Sequence, residues 1–239
     1  MALIEDIRIR YLPLAGEKKA VVCDLASDVI TCYTWVFGGS PWNEGWKCTN
    51  CKSNGSSYVW PLDSPPAHGS CPKCSGLVVP YWPASDVLAD LHKQMQNPHA
   101  VCVVATQDGK PGVVGGTWGY ALRPSRVQRT TGHEKIAEFL NRRYPEEGHV
   151  AYQDEIFVLE RLWSNGIGKR LFRARYRKLA MAGLKVFVAR TKRASPAYRW
   201  YLGMNYSVAC EYEDGRVIMV AHRDDMPFVD LTDEADPDQ

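Results

Sequence analysis

Residues 152–171 read YQDEIFVLERLWSNGIGKRL, and this stretch decides the fold. Its first half predicts a β-strand over 151–159, and its second half begins a basic helix predicted over 166–182. Between them, the Ser-Asn-Gly sequence at 164–166 predicts a tight turn. A further glycine, Gly168, stands in the first turn of the helix. Because unpaired backbone N–H groups at such a helix start attract phosphate, the stretch predicts an anion-binding turn.

The segments on either side predict an α/β (α+β) fold around a mixed sheet. A Gln-Asp-Gly-Lys turn joins apolar runs at 100–106 and 112–122, which indicates a β-hairpin. A strand predicted at 184–190 would lie parallel to the strand before the turn, because a helix connects the two. The other predicted elements are strands at 4–12, 18–25, 206–212 and 216–222 and helices at 27–37, 85–96, 132–144 and 195–203.

The composition is that of an ordinary globular protein. Hydrophobic residues make up 45% of the 239-residue chain and charged residues 23%, which suits one large domain or one domain with a small module. No apolar run approaches the roughly 18 residues of a transmembrane helix. The first residues, MALIEDIRIR, carry charges where a signal peptide needs an apolar segment. We therefore expect no membrane partner and a cytoplasmic, reducing location.

The net charge of +2 hides a strong asymmetry along the chain. Residues 161–199 contain 12 Lys and Arg residues and no acid, whereas 10 acids occur from Glu211 onward. The basic segment could meet a phosphate-bearing ligand or nucleic acid, or it could be a solvated helix face. Residues 226–239, which end in DLTDEADPDQ, predict a disordered acidic tail.

Four cysteines form two Cys-x2-Cys pairs with 19 residues between them. Each pair can present two thiolates from one tight turn, and two such turns complete a tetrahedral zinc site. In a reducing compartment this arrangement is favoured over disulfides. His68 is an alternative ligand, although four sulfurs already close the site. The spacing predicts a zinc ribbon whose structural Zn²⁺ is held by Cys48, Cys51, Cys71 and Cys74.

Aromatic residues are dense around the predicted ribbon. They could seal a small module to the main domain, or form a surface that stacks on bases or holds a protein acceptor. The set comprises Trp42, Trp46, Tyr58, Trp60, Tyr81 and Trp82. The remaining cysteines lie in apolar contexts and are predicted to be buried core residues. They are Cys23, Cys32, Cys102 and Cys210.

The glycine turn resembles the acetyl-CoA motif of the GCN5-related N-acetyltransferase (GNAT) family, V-x-P-x-x-R/Q-G-x-G-x-G/A. Val158 takes the valine position, and Gly166 and Gly168 take the later glycine positions. Three residues depart from the motif: Glu160 replaces proline, Trp163 replaces Arg or Gln, and Ser164 replaces the first glycine.

A second likeness lies before the closing strands. The family's last helix often ends A-x3-Y-x3-G-F, and Ala197-x3-Tyr201-x3-Asn205-Tyr206 has this spacing. Asn205, a residue that tolerates left-handed backbone, stands in for the glycine. The resemblance covers about 85–222 and the N-terminal strand. It implies a mostly antiparallel, twisted sheet with flanking helices, in which the two parallel strands splay apart.

The resemblance also implies the co-substrate and the residues that bind it. Acetyl-CoA would place its pyrophosphate on the turn and its pantetheine arm along the first parallel strand. At Trp163 the backbone N–H would replace the missing polar side chain. The implied cofactor-binding residues are Phe157, Val158, Leu159, Trp163, Ser164, Asn165, Gly166, Ile167, Gly168, Lys169 and Arg170.

In this family an amine attacks the thioester directly, which requires a base for the amine and often an acid for the thiolate. Asp154 and Glu155 are the candidate bases, and either could instead be a simple strand-end acid. Strand alternation predicts that they point to opposite faces, with Asp154 on the face of Val158. Tyr201 is the candidate acid, with Tyr198 as the alternative, and Tyr201 could equally be a packing aromatic.

These expectations combine into an acetyl-CoA-dependent N-acetyltransferase whose domain, residues 1–45 and 77–225, is interrupted by a zinc ribbon at 46–76. We expect the ribbon beside the acceptor opening. The acceptor would be an amine of a protein, a nucleic acid or a small molecule, and the oligomeric state is left open. The alternatives are a non-catalytic zinc-ribbon binding module on an acyltransferase-like scaffold, or a nucleic-acid-binding regulator.

Overall fold

The structure is a computed structural model, and it describes residues 7–12, 19–53, 56–110 and 112–227, without the side chains of 19–24, 52–53 and 56–58. The strands are β1 (Ile7–Tyr11), β2 (Trp46–Ser53), β3 (Ser56–Trp60), β4 (Val78–Pro80), β5 (Val101–Gln107), β6 (Val113–Leu122), β7 (Val150–Val158), β8 (Val186–Lys192), β9 (Ser207–Glu211) and β10 (Arg216–His222). The helices are α1 (Lys19–Gly38), α2 (Ala84–Gln94), α3 (Pro124–Thr131), α4 (Ile136–Arg143), α5 (Ile167–Met181) and α6 (Pro196–Gly203).

The ten strands of the described residues form two sheets. Seven strands make the main sheet in the order β1-β5-β6-β7-β8-β10-β9, and three make a small sheet in the order β3-β2-β4. Every pair in the main sheet is antiparallel except β7 with β8. The predicted fold class, a mixed and mostly antiparallel sheet with one parallel pair and flanking helices, is therefore confirmed.

Helices cover both faces of the main sheet. β6, in its interior, is buried along its whole length. α5 packs on one face against β5, β6 and β7, and its buried residues recur every three or four positions, as an amphipathic helix requires. α1 packs on the opposite face, against β6 and β7. Each large apolar side chain buried between these layers stabilises the fold by about 1.5–3 kcal/mol.

The two parallel strands stay together for only three residue pairs. β7 and β8 pair from Ala151↔Phe187 to Gln153↔Ala189. Beyond this point β7 pairs only with β6, and β8 only with β10. The two strands therefore diverge and leave a gap in the sheet, bordered by residues 154–158 of β7.

A β-bulge lies in β7 where this gap begins. Trp118 faces Glu155 and Tyr120 faces Tyr152, so Gly119 alone faces two residues of β7. A Cβ atom on Gly119 would stand 2.8 Å from the carbonyl oxygen of Tyr152 and 3.2 Å from Cδ of Arg175. The absence of a side chain at this position therefore makes room for the bulge.

One predicted element is wrong. The strand predicted over 18–25 is not formed in its described part, because residues 19–25 already belong to α1. β1 pairs instead with β5, while the turn expected at residues 15–16 lies outside the described residues. Buried residues of α1 at 29, 30, 33 and 37 are spaced for a helix, so one long amphipathic helix replaces the hairpin.

The helix predicted over 132–144 is α4, and a further helix, α3, which was not predicted, precedes it. α3 begins at Pro124, whose fixed φ suits the first turn, and ends before Gly132 in the left-handed conformation (φ 69°). α4 follows from Ile136 to Arg143. This proline-to-glycine pattern was the available signal for α3. The other strands and helices predicted from 85 onward are confirmed to within a few residues.

Two further expectations concern the acidic C-terminal segment and the absence of a membrane-spanning helix. Met226 is buried in the main core, and residues 228–239, most of the predicted acidic tail, lie outside the described residues. Of the helices that the structure describes, none combines the length and the apolar character needed to cross a membrane.

We predict that Gly119→Ala lowers the free energy of unfolding by about 1–3 kcal/mol, because its methyl group overlaps a backbone carbonyl that the bulge holds in place. Urea denaturation measures the change. Gly148→Ala is the matched control, since a Cβ atom at Gly148 would meet nothing within 4 Å. Equal stability of the two variants would contradict the tight packing at the bulge.

Candidate active site

The glycine turn joins β7 to α5 through a short 3₁₀ segment, Glu160–Leu162. Ser164 and Gly166 both adopt left-handed backbone, with φ of 65° and 75°. Ile167, which is 1% exposed, anchors the start of α5 in the core. No described side chain caps this helix, and its first turn carries no acid. The turn therefore presents backbone N–H groups outward, as an anion site requires.

Gly168 is not required for packing within the protein. A Cβ atom there would meet only Cγ2 of Val158, at 3.9 Å, which is an ordinary contact. A glycine that the protein's own packing does not need leaves space for a ligand to approach the backbone. Lys169 is exposed beside it, whereas Arg170 donates a hydrogen bond to the carbonyl of Ile7 (3.1 Å). Basic residues at a helix start oppose the helix dipole, which an anionic ligand would offset.

Trp163 lies across the backbone on which the pantetheine arm was expected. Its indole N–H donates to the carbonyl of Val158 (2.8 Å), and its backbone N–H donates to the carbonyl of Glu160 (2.9 Å). The N–H of Leu159 donates to Val114 (3.0 Å). In this conformation Trp163 packs on the strand, and the backbone N–H expected to bind phosphate is already in use.

Asp154 and Glu155 lie on the same face of β7, which corrects the predicted opposite faces. The hydroxyl of Tyr120 donates to Asp154 (2.8 Å), and that of Tyr33, on α1, donates to Glu155 (3.3 Å). Both tyrosines belong to the core on the α1 side of the sheet. The bulge causes the change, because its extra residue breaks the two-residue alternation between Asp154 and Val158.

The shared face gives this acidic pair unusual electrostatics. Burial raises the pKa of Asp154, against the opposing effects of the Tyr120 hydrogen bond and the charge of Arg190. The pKa of Glu155 is raised well above its ordinary value by burial and then by the charge of Asp154. A carboxyl group with a raised pKa is a better proton acceptor near neutral pH, so either residue could serve as a general base.

A third carboxylate, which sequence reasoning missed, comes from the base of the ribbon. Glu44 accepts a hydrogen bond from the indole of Trp82 (3.3 Å) and lies 3.9 Å from Nζ of Lys192 on β8. Burial raises the pKa of Glu44, and its charge adds to the elevation at Glu155. No pattern around Glu44 marks it in the sequence, because only the tertiary fold brings this loop to β8.

Tyr201 lies on the other face of the sheet, in the core beneath α5. It is 2% exposed, and burial raises its pKa while the positive charge of Arg175 opposes that rise. Tyr198 is more accessible, and its hydroxyl accepts a hydrogen bond from Arg193 (2.6 Å). Asn205 has φ of 60°, which confirms the left-handed backbone expected of the residue that stands in for glycine.

The four cysteines predicted as ligands converge beside the small sheet, two of them on β2 and two in the segment before β4. All four sulfurs lie within 4.8 Å of one another, with Sγ–Sγ distances of 3.2–3.7 Å among the closest pairs. A disulfide needs about 2.05 Å, whereas tetrahedral Zn–S bonds of about 2.3 Å place sulfurs about 3.8 Å apart. The arrangement fits a tetrahedral soft cation.

The backbone also suits thiolate ligands. N–H groups of Cys51 and Asn50 point at the sulfur of Cys48 (3.3 and 3.4 Å) and, led by that of Cys51, lower its pKa to about 7. By contrast, the other described cysteines are core residues, as predicted: Cys32, Cys102 and Cys210 are all buried. Burial raises the pKa of Cys32 and of Cys102 to about 12. The side chain of Cys23 lies outside the description.

The aromatic residues around the ribbon pack into two separate hydrophobic cores. Trp42 and Trp82 pack against the main core on the α1 side, so they seal the ribbon's base to the main domain. Trp46 and Trp60 pack instead around the cysteines. The ribbon's base therefore adjoins the face of the sheet that carries the acidic pair.

Comparison with known proteins identifies this arrangement. The sequence model of the acetyltransferase (GNAT) family matches residues 71–204, more than half of the chain. The chain belongs to the GNAT family. It is accordingly an N-acetyltransferase, and acetyl-CoA is its co-substrate. No curated protein sequence matches the chain.

Solved structures share the GNAT fold at low sequence identity. Arylalkylamine N-acetyltransferase 2 from Aedes aegypti matches with a TM-score of 0.54 and 11% identity, over 91% of this chain and 99% of that chain. An acetyltransferase from Streptococcus agalactiae matches with a TM-score of 0.50 and 9% identity, over 91% and 99% of the two chains. These likenesses concern the fold.

The raised pKa of Glu155 predicts that Glu155→Gln stabilises the protein at neutral pH by about 1 kcal/mol or more. Above the ordinary value of 4.5 the unfolded chain is ionised, whereas the folded protein must bury that charge or bind a proton. The advantage of glutamine should therefore appear above about pH 4.5 and vanish below it. Urea denaturation near pH 4 and near pH 7.5 measures both limits.

The matched control for this measurement is Glu138→Gln, because the side chain of Glu138 is 76% exposed. That variant should show no comparable gain. A Glu155→Gln protein that is less stable than wild type at neutral pH would contradict the buried-charge explanation.

Proposed function

We propose that this GNAT enzyme transfers the acetyl group of acetyl-CoA to an amine by direct attack on the thioester. The observation that carries the proposal is the order of features along β7. The acidic pair stands at the bulge, the gap opens beside it, and the strand then leads into the uncapped start of α5. A base, a slot for the pantetheine arm and an anion site thus follow one another within 15 residues, 154–168.

The turn would hold the pyrophosphate and the edge of β7 the pantetheine arm. Ser164, Gly166 and Gly168 supply backbone that a phosphate can approach closely. The pantetheine arm can bond to the carbonyl of Val158 only after the hydrogen bond between the indole of Trp163 and this carbonyl has broken. We therefore infer that Trp163 changes conformation when acetyl-CoA binds.

In the reaction, the amine nitrogen attacks the thioester carbon, a C–N bond forms and the C–S bond breaks. The amine's proton passes to the carboxylate of Asp154 or Glu155, directly or through water. The departing thiolate takes a proton from Tyr201. The acid and the base then lie on opposite faces of the sheet, on either side of the gap.

The acceptor is an amine of a protein, a nucleic acid or a small molecule. Three carboxylates at the opening, Glu44, Asp154 and Glu155, favour an acceptor that arrives as a cation. Within the acetyltransferase domain of residues 1–45 and 77–225, we propose that a zinc ribbon at 46–76 borders this opening. The contacts of Glu44 with Trp82 and Lys192 support this position.

Acetyl-CoA titration tests the proposal. We predict that wild-type protein binds acetyl-CoA, and that Gly168→Ala weakens the affinity at least about 10-fold, because the added methyl group occupies space that only a ligand needs. Isothermal titration measures the affinity. Urea denaturation should show that Gly168→Ala is no less stable than wild type, since alanine suits a helix better than glycine. Gly148→Ala is the control at the far end of β7.

A panel of peptide, nucleic-acid and small-molecule amines tests the transfer step itself. Wild-type protein that binds acetyl-CoA but acetylates no member of the panel would contradict the proposed mechanism.

We further propose that the four cysteines hold a structural Zn²⁺. The donor set supports this, because four converging thiolates leave no open position for substrate and match the ligands that zinc prefers. A site of this kind would stabilise a ribbon that has a small core of its own, comprising Cys48, Cys71 and Val78 with the partly buried Trp46, Cys51 and Trp60.

Cobalt(II) titration tests the metal site. We predict about one bound ion per chain with thiolate-to-cobalt charge-transfer absorption, abolished in Cys74→Ser and retained in Cys210→Ser, whose cysteine is buried elsewhere. Removal of the metal by a chelator should raise KM for the acceptor while the Kd for acetyl-CoA changes less than about twofold. If metal-free protein keeps the wild-type KM for the acceptor, the proposal that the ribbon helps to select the acceptor is contradicted.

A further inference from the structure

Arg175, on α5, is the largest fully buried side chain in the described part of the chain, with 0% exposure. Its Nη1 and Nη2 groups donate to neutral acceptors, whereas its Nε finds no partner among the described residues. No described carboxylate oxygen lies within ion-pair distance of it. A buried cation without a paired anion is expensive in free energy, and apolar residues of similar volume usually serve packing better. The position of Arg175 therefore calls for a role other than filling the core.

The guanidinium group lies at the bulge. Its Nη1 donates to the backbone carbonyls of Glu155 (2.8 Å) and Trp118 (3.2 Å) and also to the hydroxyl of Thr117. A bulge disrupts the regular ladder between strands, and side-chain donors can satisfy the carbonyls beside it. Arg175 thus bridges β6 and β7 where their register shifts.

The same group reaches the candidate acid. Nη2 donates to Oε1 of Gln153, whose amide donates in turn to the hydroxyl of Tyr206. The ring of Tyr206 packs against that of Tyr201, with 4.9 Å between the ring centroids, and the charge of Arg175 lowers the pKa of the Tyr201 hydroxyl. One buried cation therefore contacts the backbone that carries the acidic pair and connects, through Gln153 and Tyr206, to the candidate acid on the other face of the sheet.

We propose that Arg175 is a positioning residue for acetyl transfer, which holds the bulge that presents Asp154 and Glu155 to the acceptor and orients Tyr201 toward the thiolate. This inference rests on the proposed function for the roles of those three groups. Arg175 acts through them and contacts neither substrate.

The charge of Arg175 also contributes to the proton affinity of Asp154. The titratable and charged groups around Asp154 are Tyr33 on α1, Tyr120 on β6, Tyr152 and Glu155 on β7, Arg190 on β8 and, from the other face of the sheet, Arg175 on α5. Of these, Arg190 and Arg175 both favour the ionised carboxylate. Loss of the positive charge at Arg175 would therefore make Asp154 bind its proton more tightly, and the base would become active only at higher pH.

Two substitutions separate charge from geometry. Arg175→Met removes the charge at similar volume, and Arg175→Lys keeps the charge but cannot make the same set of hydrogen bonds. We expect Arg175→Met to lower kcat about 10- to 100-fold with a smaller change in KM for acetyl-CoA, and to move the acidic limb of the pH–rate profile to higher pH. Arg175→Lys should lower kcat and leave that limb near its wild-type position.

A second background and a matched control complete the design. In a Tyr201→Phe protein, Arg175→Met should lower kcat by a smaller factor than it does in the wild-type protein. Part of the effect of Arg175 acts through the Tyr201 hydroxyl, which this background lacks. Lys178→Met, which removes an exposed cation three residues further along α5, should leave kcat and the pH profile unchanged. Carboxyl ¹³C NMR titration of Asp154 and Glu155 reports the charge effect without any acceptor.

The results distinguish this inference from the proposed function. A wild-type protein that acetylates no amine contradicts the proposed function, while an NMR titration midpoint that rises in Arg175→Met still supports the electrostatic link. Wild-type kcat and pH profile in both Arg175 variants overturn the inference although acetyl transfer stands. If Arg175→Met does not fold, Arg175→Lys decides, because wild-type kcat in that variant overturns the positioning role.

Discussion

In the ladder between β6 and β7, Gly119 faces two residues of β7, and most of the candidate active site follows from this extra residue. Because the bulge interrupts the alternation of side chains, Asp154 and Glu155 share one face. The same point marks the end of the pairing between β7 and β8. One change of register thus places an acidic pair at the entrance of a gap in the sheet.

The arrangement is unfavourable in itself. Two neighbouring carboxyl groups are largely buried, a third approaches from the ribbon's base, and a guanidinium group lies in the core behind them. Buried charges of this kind are retained where chemistry needs them and are compensated elsewhere, here by the apolar layers on both faces of the sheet. Stability and proton transfer therefore place opposite demands on the same few residues.

Features that depend on local backbone chemistry could be predicted from the sequence. The Ser-Asn-Gly turn and the start of α5 follow from residues adjacent in the chain, and Asn205 adopts the left-handed backbone that its position required. The two Cys-x2-Cys pairs converge as their spacing indicated. In each case the determining contacts lie within a few residues or within one short module.

Features that depend on distant strands could not be predicted in this way. A bulge is set by the partner strand, so the common face of Asp154 and Glu155 depends on Gly119, some 35 positions earlier in the chain. Glu44 and Arg175 have no distinguishing pattern, since their significance comes from Lys192, Trp118 and Tyr201, which only packing brings near. The sequence by itself determined the turn, the helix start, the family likeness and the cluster of four cysteines. Tertiary structure decided which side chains face one another, because side-chain direction in a sheet follows register, and register is a property of two strands together.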